Sequence, residues 1–272
     1  MAQNAPHDTS LLIDIGNTFL KWGLFHSDGK GLAFDNRIDS GHALLDEITG
    51  LTASFAKFRV PAQIVISNVA GTRMRGMVGR VLEVWHNAPT AHWIVPQAEQ
   101  CGVVNRYRNP AQLGSDRWAA LIGARQLLGY QPSLVVVCGT VTTVDFLSAQ
   151  GEFRGGFILP GVGLMLRSLH EGTAALPDSE GEFTEFPQQT VDAIFSGCQH
   201  AQAGAVERIF KQHVQDIAEL TCVVSGGAAR ALAPRLTIPF RLHDNLVIEG
   251  LYRISQTLAR DKPKRRRPPD IA

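Results

Sequence analysis

Two stretches of this chain, far apart in sequence, repeat one design, and that repetition restricts the fold more than any other feature. The first runs from Leu11 to Phe25, L-L-I-D-I-G-N-T-F-L-K-W-G-L-F. An apolar run leads into Asp14, Gly16 frees the backbone to turn, and Asn17 and Thr18 offer small polar groups; apolar alternation then resumes through Trp22, Leu24 and Phe25. The pattern spells strand, tight turn, strand. The second stretch, Leu134 to Leu147, reads L-V-V-V-C-G-T-V-T-T-V-D-F-L: again an apolar run, a Gly-Thr bend and an apolar strand. Superposing Gly16 on Gly139 pairs Asn17 with Thr140 and Asp14 with Val137. A domain-level duplication is the economical account, with its boundary near residues 112–133. Two related halves enclose a cleft into which both bends can face.

Taken singly, the first bend has two readings. It is an ordinary hairpin with an Asx-type turn, or a loop that holds phosphate on backbone N–H groups and the Thr18 hydroxyl. Asp14 repels a bare phosphate, so the second reading requires a divalent cation beside it and points to magnesium-bound ATP.

The rest of the chain supplies helices and one more buried strand. Residues 43–58 carry Leu44, Leu45, Ile48, Leu51 and Phe55 at helical spacing, 62–69 read as a strand, and 74–85 as a second helix. Residues 93–110 read as loop. A helix through Trp118, Leu121, Ile122 and Leu128 follows Gly114-Ser115-Asp116-Arg117, with Ser115 as its N-cap and Asp116 in its first turn. Residues 153–163 form a glycine-rich crossing and 171–189 a polar loop. Thr190 opens a helix to about Leu220; a strand at 221–224 ends in Gly226-Gly227, and a last helix spans 246–258. Helices alternating with buried strands predict a mixed sheet covered by helices.

Composition narrows the class. The 272 residues are 44% hydrophobic and 19% charged with a net charge of +1, so a large core is available and no global field invites nucleic acid or a membrane surface. Four scattered cysteines, Cys101, Cys138, Cys198 and Cys222, lack metal-ligand spacing and fit a reducing cytosol. The polar segment Met1 to Ser10 lacks the apolar heart of a signal peptide, and no run reaches membrane-spanning length, so a cytoplasmic location is expected. The tail from residue 261, with K-P-K-R-R-R at 262–267, is expected to be disordered.

Five motifs, D-I-G-N-T, G-S-D-R, C-G-T-V-T-T, G-G-F-I-L-P-G and S-G-G-A-A, lie in order along roughly Leu11 to Leu258. Together they resemble type III pantothenate kinase, the bacterial family that includes proteins once described as Bvg accessory factors. The resemblance implies an α/β fold of two ribonuclease-H-like domains of the actin, Hsp70 and sugar-kinase superfamily, here residues 1–115 and 116–260, with the active-site cleft between them. It implies a homodimer that uses ATP and Mg²⁺ to phosphorylate pantothenate, the first step of coenzyme A biosynthesis.

Residue by residue, the resemblance carries Asp14, Ile15, Gly16, Asn17, Thr18, Phe19, Leu20 and Lys21 onto the first phosphate loop, with Asp14 acting through Mg²⁺ and Lys21 as a charge on the phosphates. Thr140 matches the second phosphate loop. Asp116 matches the catalytic base. Tyr107, Gly114, Ser115, Arg117 and Thr190 match the substrate pocket: Arg117 would bind the substrate carboxylate or fix Asp116, and Thr190 has an N-cap role as rival. Gly226 and Gly227 match the adenosine end. One departure stands out. The family's D-x-G-T motif places an Asp, which helps hold a monovalent cation such as K⁺ or NH₄⁺, where this chain has Val137. A valine side chain cannot coordinate a cation, and Asp145, expected on the next strand, is not expected to substitute. Rival readings are a kinase of another small hydroxylated substrate and a non-catalytic ATP-binding regulator; an Hsp70-like chaperone fails on length.

Overall fold

A computed structural model describes residues 9–27, 29–174, 176, 177 and 181–261; the tail expected to be disordered lies, beyond Asp261, outside them. The first sheet collects β1 (Thr9–Ile15), β2 (Phe19–His26), β3 (Arg37–Leu44), β4 (Gln63–Asn68) and β5 (His92–Trp93), with α1 (Leu51–Phe55) and α2 (Gly71–Leu82) on its outer face. The second collects β6 (Glu99–Gln100), β7 (Val103–Asn105), β8 (Ser133–Cys138), β9 (Val141–Leu147), β10 (Glu152–Pro160), β11 (Thr221–Ser225) and β12 (Phe240–Leu242). Its helices are α3 (Ser115–Leu128), α4 (Val162–Gly172), α5 (Thr190–His213), α6 (Ala229–Leu232) and α7 (Leu246–Asp261).

The expected duplication is present in the strand order. The first sheet runs β3-β2-β1-β4-β5, and the second contains β10-β9-β8-β11-β12, with β7 and β6 added beyond β10. Each set begins with three antiparallel strands and ends with two parallel ones. The bends differ by one residue. The Gly16 N–H donates to the Phe19 carbonyl across two residues, and the Gly139 N–H to the Val141 carbonyl across one.

Strand periodicity decides which side chains reach the interior between the sheets. In β1, Leu11, Ile13 and Ile15 face the outer core with Phe55 and Trp85, so Leu12 and Asp14 face inward. In β8, Leu134, Val136 and Cys138 face α5, so Val135 and Val137 face inward. Between the sheets lie α3 and α7, with Trp118, Leu121, Ile122, Leu251 and Tyr252 in the shared core. Their close crossing depends on two glycines: a Cβ on Gly250 would overlap the Ala119 carbonyl, and one on Gly123 the Leu246 carbonyl.

The structure corrects several local expectations. The helix expected at 43–58 shrinks to α1 and a preceding 3₁₀ turn at Ile48–Gly50, because Ala43 and Leu44 pair in the sheet with Leu20 and Phe19. Residues 93–110 hold the short strands β6 and β7, so sheet membership changes between β5 and β6, upstream of the expected division at residue 115. The helix opened by Thr190 ends at His213, and α4 arises where a crossing and loop were expected. Gly114, not Ser115, is the cap residue of α3; the Ser115 hydroxyl instead meets the Ser67 hydroxyl (3.0 Å) and accepts from the Asn68 N–H (3.1 Å), tying α3 to β4.

The loop between β2 and β3 is tied to α7. Both carboxylate oxygens of Glu249 accept from the Ala33 N–H, at 2.8 and 3.0 Å, and Gln256 donates to the Gly29 carbonyl. Burial pushes the Glu249 carboxyl up to about 7, the Ala33 N–H opposing and the charge of Asp35 adding to the rise. Between its ordinary 4.5 and about 7, the folded chain therefore keeps a proton that the unfolded chain releases, and stability falls as pH rises through that window. Glu249→Gln is expected to flatten the loss and to stabilise the chain at pH 8 by up to about 3 kcal/mol. Parallel melting-versus-pH curves for parent and variant would rule this out.

Candidate active site

The two bends and the start of α3 converge on one cavity of about 630 Å³ between the sheets. Asp14, Gly16, Asn17, Thr18, Phe19 and Lys21 line it from the first bend, Val137, Gly139 and Thr140 from the second, and Asp116 and Arg117 from α3. Ser225, the last residue of β11, and Gly226 and Gly227 after it also line the cavity. The bends touch: the Thr18 and Thr140 hydroxyls are 2.8 Å apart. Ile15 and Leu20 belong to the first bend by backbone alone, since both side chains are fully buried in the outer core.

Asp14 and Asp116 are the cavity's carboxylates. Burial raises the Asp14 carboxyl to about 7, with the charge of Asp116 adding to the rise and Lys21 and the Ser67 hydroxyl drawing it down. Burial also raises Asp116, against the Arg117 backbone N–H, which donates to Asp116 Oδ1 at 2.7 Å, and the Arg117 charge. Two carboxylates raised above their ordinary range at one cleft are what proton transfer and cation binding use. Among the described residues Asp14 Oδ1 is buried without a hydrogen-bond partner, an unmet acceptor that suits a cation. No group of three His, Cys, Asp or Glu gathers among the described residues. Mg²⁺ takes one or two carboxylates and completes its shell with water and phosphate oxygens, a demand that the unmet Asp14 oxygen can serve.

Arg117 is engaged elsewhere than expected. Its Nε donates to Asp145 Oδ2 at 3.1 Å, its Nη2 to Asp145 Oδ1, and its Nη1 to the Tyr107 hydroxyl at 3.2 Å. Arg117 is 6% exposed and Asp145 1%, so this fork is a buried ion pair between α3 and β9. Burial pushes the Asp145 carboxyl up, and the Arg117 guanidinium draws it back. The side chain of Arg117 therefore fixes Asp145 and Tyr107, while its backbone holds Asp116. Sequence reading weighed Asp145 only as a stand-in for the acid absent at Val137 and missed its pairing with Arg117; the available signal was an acid inside the apolar run V-T-T-V-D-F-L, which requires a buried partner.

Other expected residues stand apart. Tyr107 reaches the site through Arg117 and packs on Phe153. Gly114 and Ser115 shape the start of α3 without lining the cavity. Thr190 is the exposed first helical residue of α5, preceded by the cap residue Gln189, and lies outside the cavity.

The sequence model of the family described as type III pantothenate kinase matches residues 10–212. The chain belongs to the type III pantothenate kinase family. A family member from Aromatoleum aromaticum is 47% identical over 241 residues, covering 89% of this chain and 95% of its own. Another, from Dechloromonas aromatica, is 43% identical over 243 residues, covering 89% and 97%. Among solved structures, a putative 2-dehydro-3-deoxygalactonokinase from Sinorhizobium meliloti superposes with a TM-score of 0.59 at 14% identity, covering 92% of this chain and 99% of its own. A putative Baf family transcriptional activator from Campylobacter jejuni gives 0.54 at 21% identity, covering 92% and 99%. These likenesses concern the fold alone, a two-sheet α/β fold of the actin and Hsp70 type.

Proposed function

We propose that this chain transfers the γ-phosphoryl group of ATP to the hydroxyl of pantothenate, the first step of coenzyme A biosynthesis. The observation that carries the reading is the meeting of both glycine bends with Asp14 and Asp116 in one cavity, in a chain whose family is named for this reaction. The backbone N–H groups and hydroxyls at Thr18 and Thr140 hold phosphate oxygens, and Lys21 offsets their charge. Asp14 would hold Mg²⁺, which when bound neutralises charge on the phosphates. Asp116 accepts the proton of the attacking hydroxyl, and the burial that raises its carboxyl makes it a stronger base. Arg117, fixed by Asp145, positions Asp116 and Tyr107. The reading includes a cytoplasmic homodimer. Four free cysteines and the exposed apolar side chains of Phe157 and Ile158 on β10, beside an α4 with no buried residue, support it. Among the described residues no helix is long and apolar enough to cross a membrane.

The test is ADP release with and without pantothenate. Stimulation by pantothenate supports the kinase; ATP binding without stimulation favours a non-catalytic regulator.

Val137 bears on cation use. It lines the cavity where a carboxylate would hold a monovalent cation, and the nearest acid on the same face of β9, Asp145, is consumed by Arg117. Activity is therefore expected to survive replacement of K⁺ and NH₄⁺ by a large organic cation. Collapse of turnover on that exchange would overturn the expectation.

A further inference from the structure

We infer that Arg167, on the second turn of α4, is a phosphate-binding residue of the nucleotide site; the inference rests on the donor reading above and extends it. The helix that carries Arg167 starts on the second bend. The Gly161 N–H donates to the Thr140 carbonyl at 3.0 Å, and a Cβ on Gly161 would overlap the Gly139 and Thr140 carbonyls, so α4 is clamped to the bend at its first turn. Helical side chains lean toward the N-terminus, which brings residue 167 over residue 163. Residue 163 is glycine, and Arg167 Nη1 lies 3.7 Å from where its Cβ would be. With no side chain there, the guanidinium lies over the first turn of α4, and Gly163, Leu164 and Arg167 line the cavity together with Gly139 and Thr140.

Charge bookkeeping gives the group its ligand. The cavity is lined by Lys21, Arg117 and Arg167 as permanent cations. Arg117 is neutralised by Asp145. The Arg167 side chain makes no ion pair or hydrogen bond among the described residues, which leaves its five donors for an incoming anion. A magnesium-bound triphosphate keeps net negative charge, and a guanidinium grips two non-bridging phosphate oxygens at once. The clamp to Gly139-Thr140 puts this fork beside the second bend, in the other half of the chain from Lys21 of the first bend. Lys21 and Arg167 thus hold the phosphates from the two halves of the cleft.

The test uses Arg167→Ala and Arg167→Lys in the full chain, with MgATP, MgADP and adenosine titrated by calorimetry and KM measured for ATP and pantothenate separately. Arg167→Ala is expected to weaken MgATP and MgADP binding about tenfold or more, as loss of a charge-assisted phosphate contact does, and to leave adenosine binding and the pantothenate KM unchanged. Arg167→Lys is expected to recover part of the loss, keeping the charge without the fork. Unchanged MgATP binding in Arg167→Ala, or a rise in the pantothenate KM in place of the ATP KM, overturns the assignment. Equal weakening of adenosine and MgATP overturns it too, since that marks a structural effect. Failure of the parent chain to bind MgATP is seen before any variant is made and removes the donor reading itself.

Discussion

Asp116→Asn is expected to abolish pantothenate-dependent ADP release while leaving MgATP binding and the fold in place. Asparagine keeps the size and the hydrogen bond from the Arg117 N–H, so α3 keeps its first turn. It cannot accept a proton. Positioned general bases contribute roughly 10²–10⁴-fold to turnover, and kcat is expected to fall by that order with little change in the KM for ATP. The loss should be matched by calorimetric titration showing MgATP bound with the affinity of the parent. A variant that keeps more than a tenth of parental kcat would remove Asp116 from the base role.

The second large effect concerns stability. Asp145→Ala leaves the Arg117 guanidinium buried with the Tyr107 hydroxyl as its remaining side-chain partner. Removing one member of a buried ion pair costs about 3–5 kcal/mol, most of it the penalty of a stranded charge. Urea denaturation is expected to show a large drop in midpoint without a change in slope. The double variant Arg117→Met with Asp145→Leu strands no charge and is expected to recover most of the stability; it keeps the backbone N–H that holds Asp116 and frees Tyr107, so activity lost in it traces to the Arg117 side chain. Equal stability of Asp145→Ala and the parent would contradict the burial of the pair.

What the sequence made legible was local or repeated. Gly16 and Gly139, each followed by small polar residues between alternating apolar strands, announce both bends. Trp118, Leu121 and Ile122 announce α3. The misreadings share one cause: the deciding partner lies elsewhere in the chain. Ala43 and Leu44 have helical spacing with Ile48, yet pair with β2. Ser115 has the chemistry of a cap, yet is held by Ser67 and Asn68 of β4. Arg117 beside Asp116 suggested a substrate ligand or a support for Asp116, and nothing near it in sequence announced that Asp145 pairs with its side chain across the core. Arg167 carries no motif; only the contact of α4 with the second bend gives it a role.

The hydroxyl contact between Thr18 and Thr140 has a kinetic meaning. It joins two exposed neutral groups, and such a bond contributes about 0.5–1.5 kcal/mol net. On the proposed function, a phosphate oxygen would accept from each hydroxyl, in bonds roughly twice as strong because the acceptor is charged. An arriving nucleotide therefore exchanges one weak link between the halves for two stronger ones to itself, and no donor is left unsatisfied at any stage. When the product leaves, the threonines find each other again. On that function, the link between the two halves in the resting cleft would be one that the ligand itself replaces on entry and restores on exit.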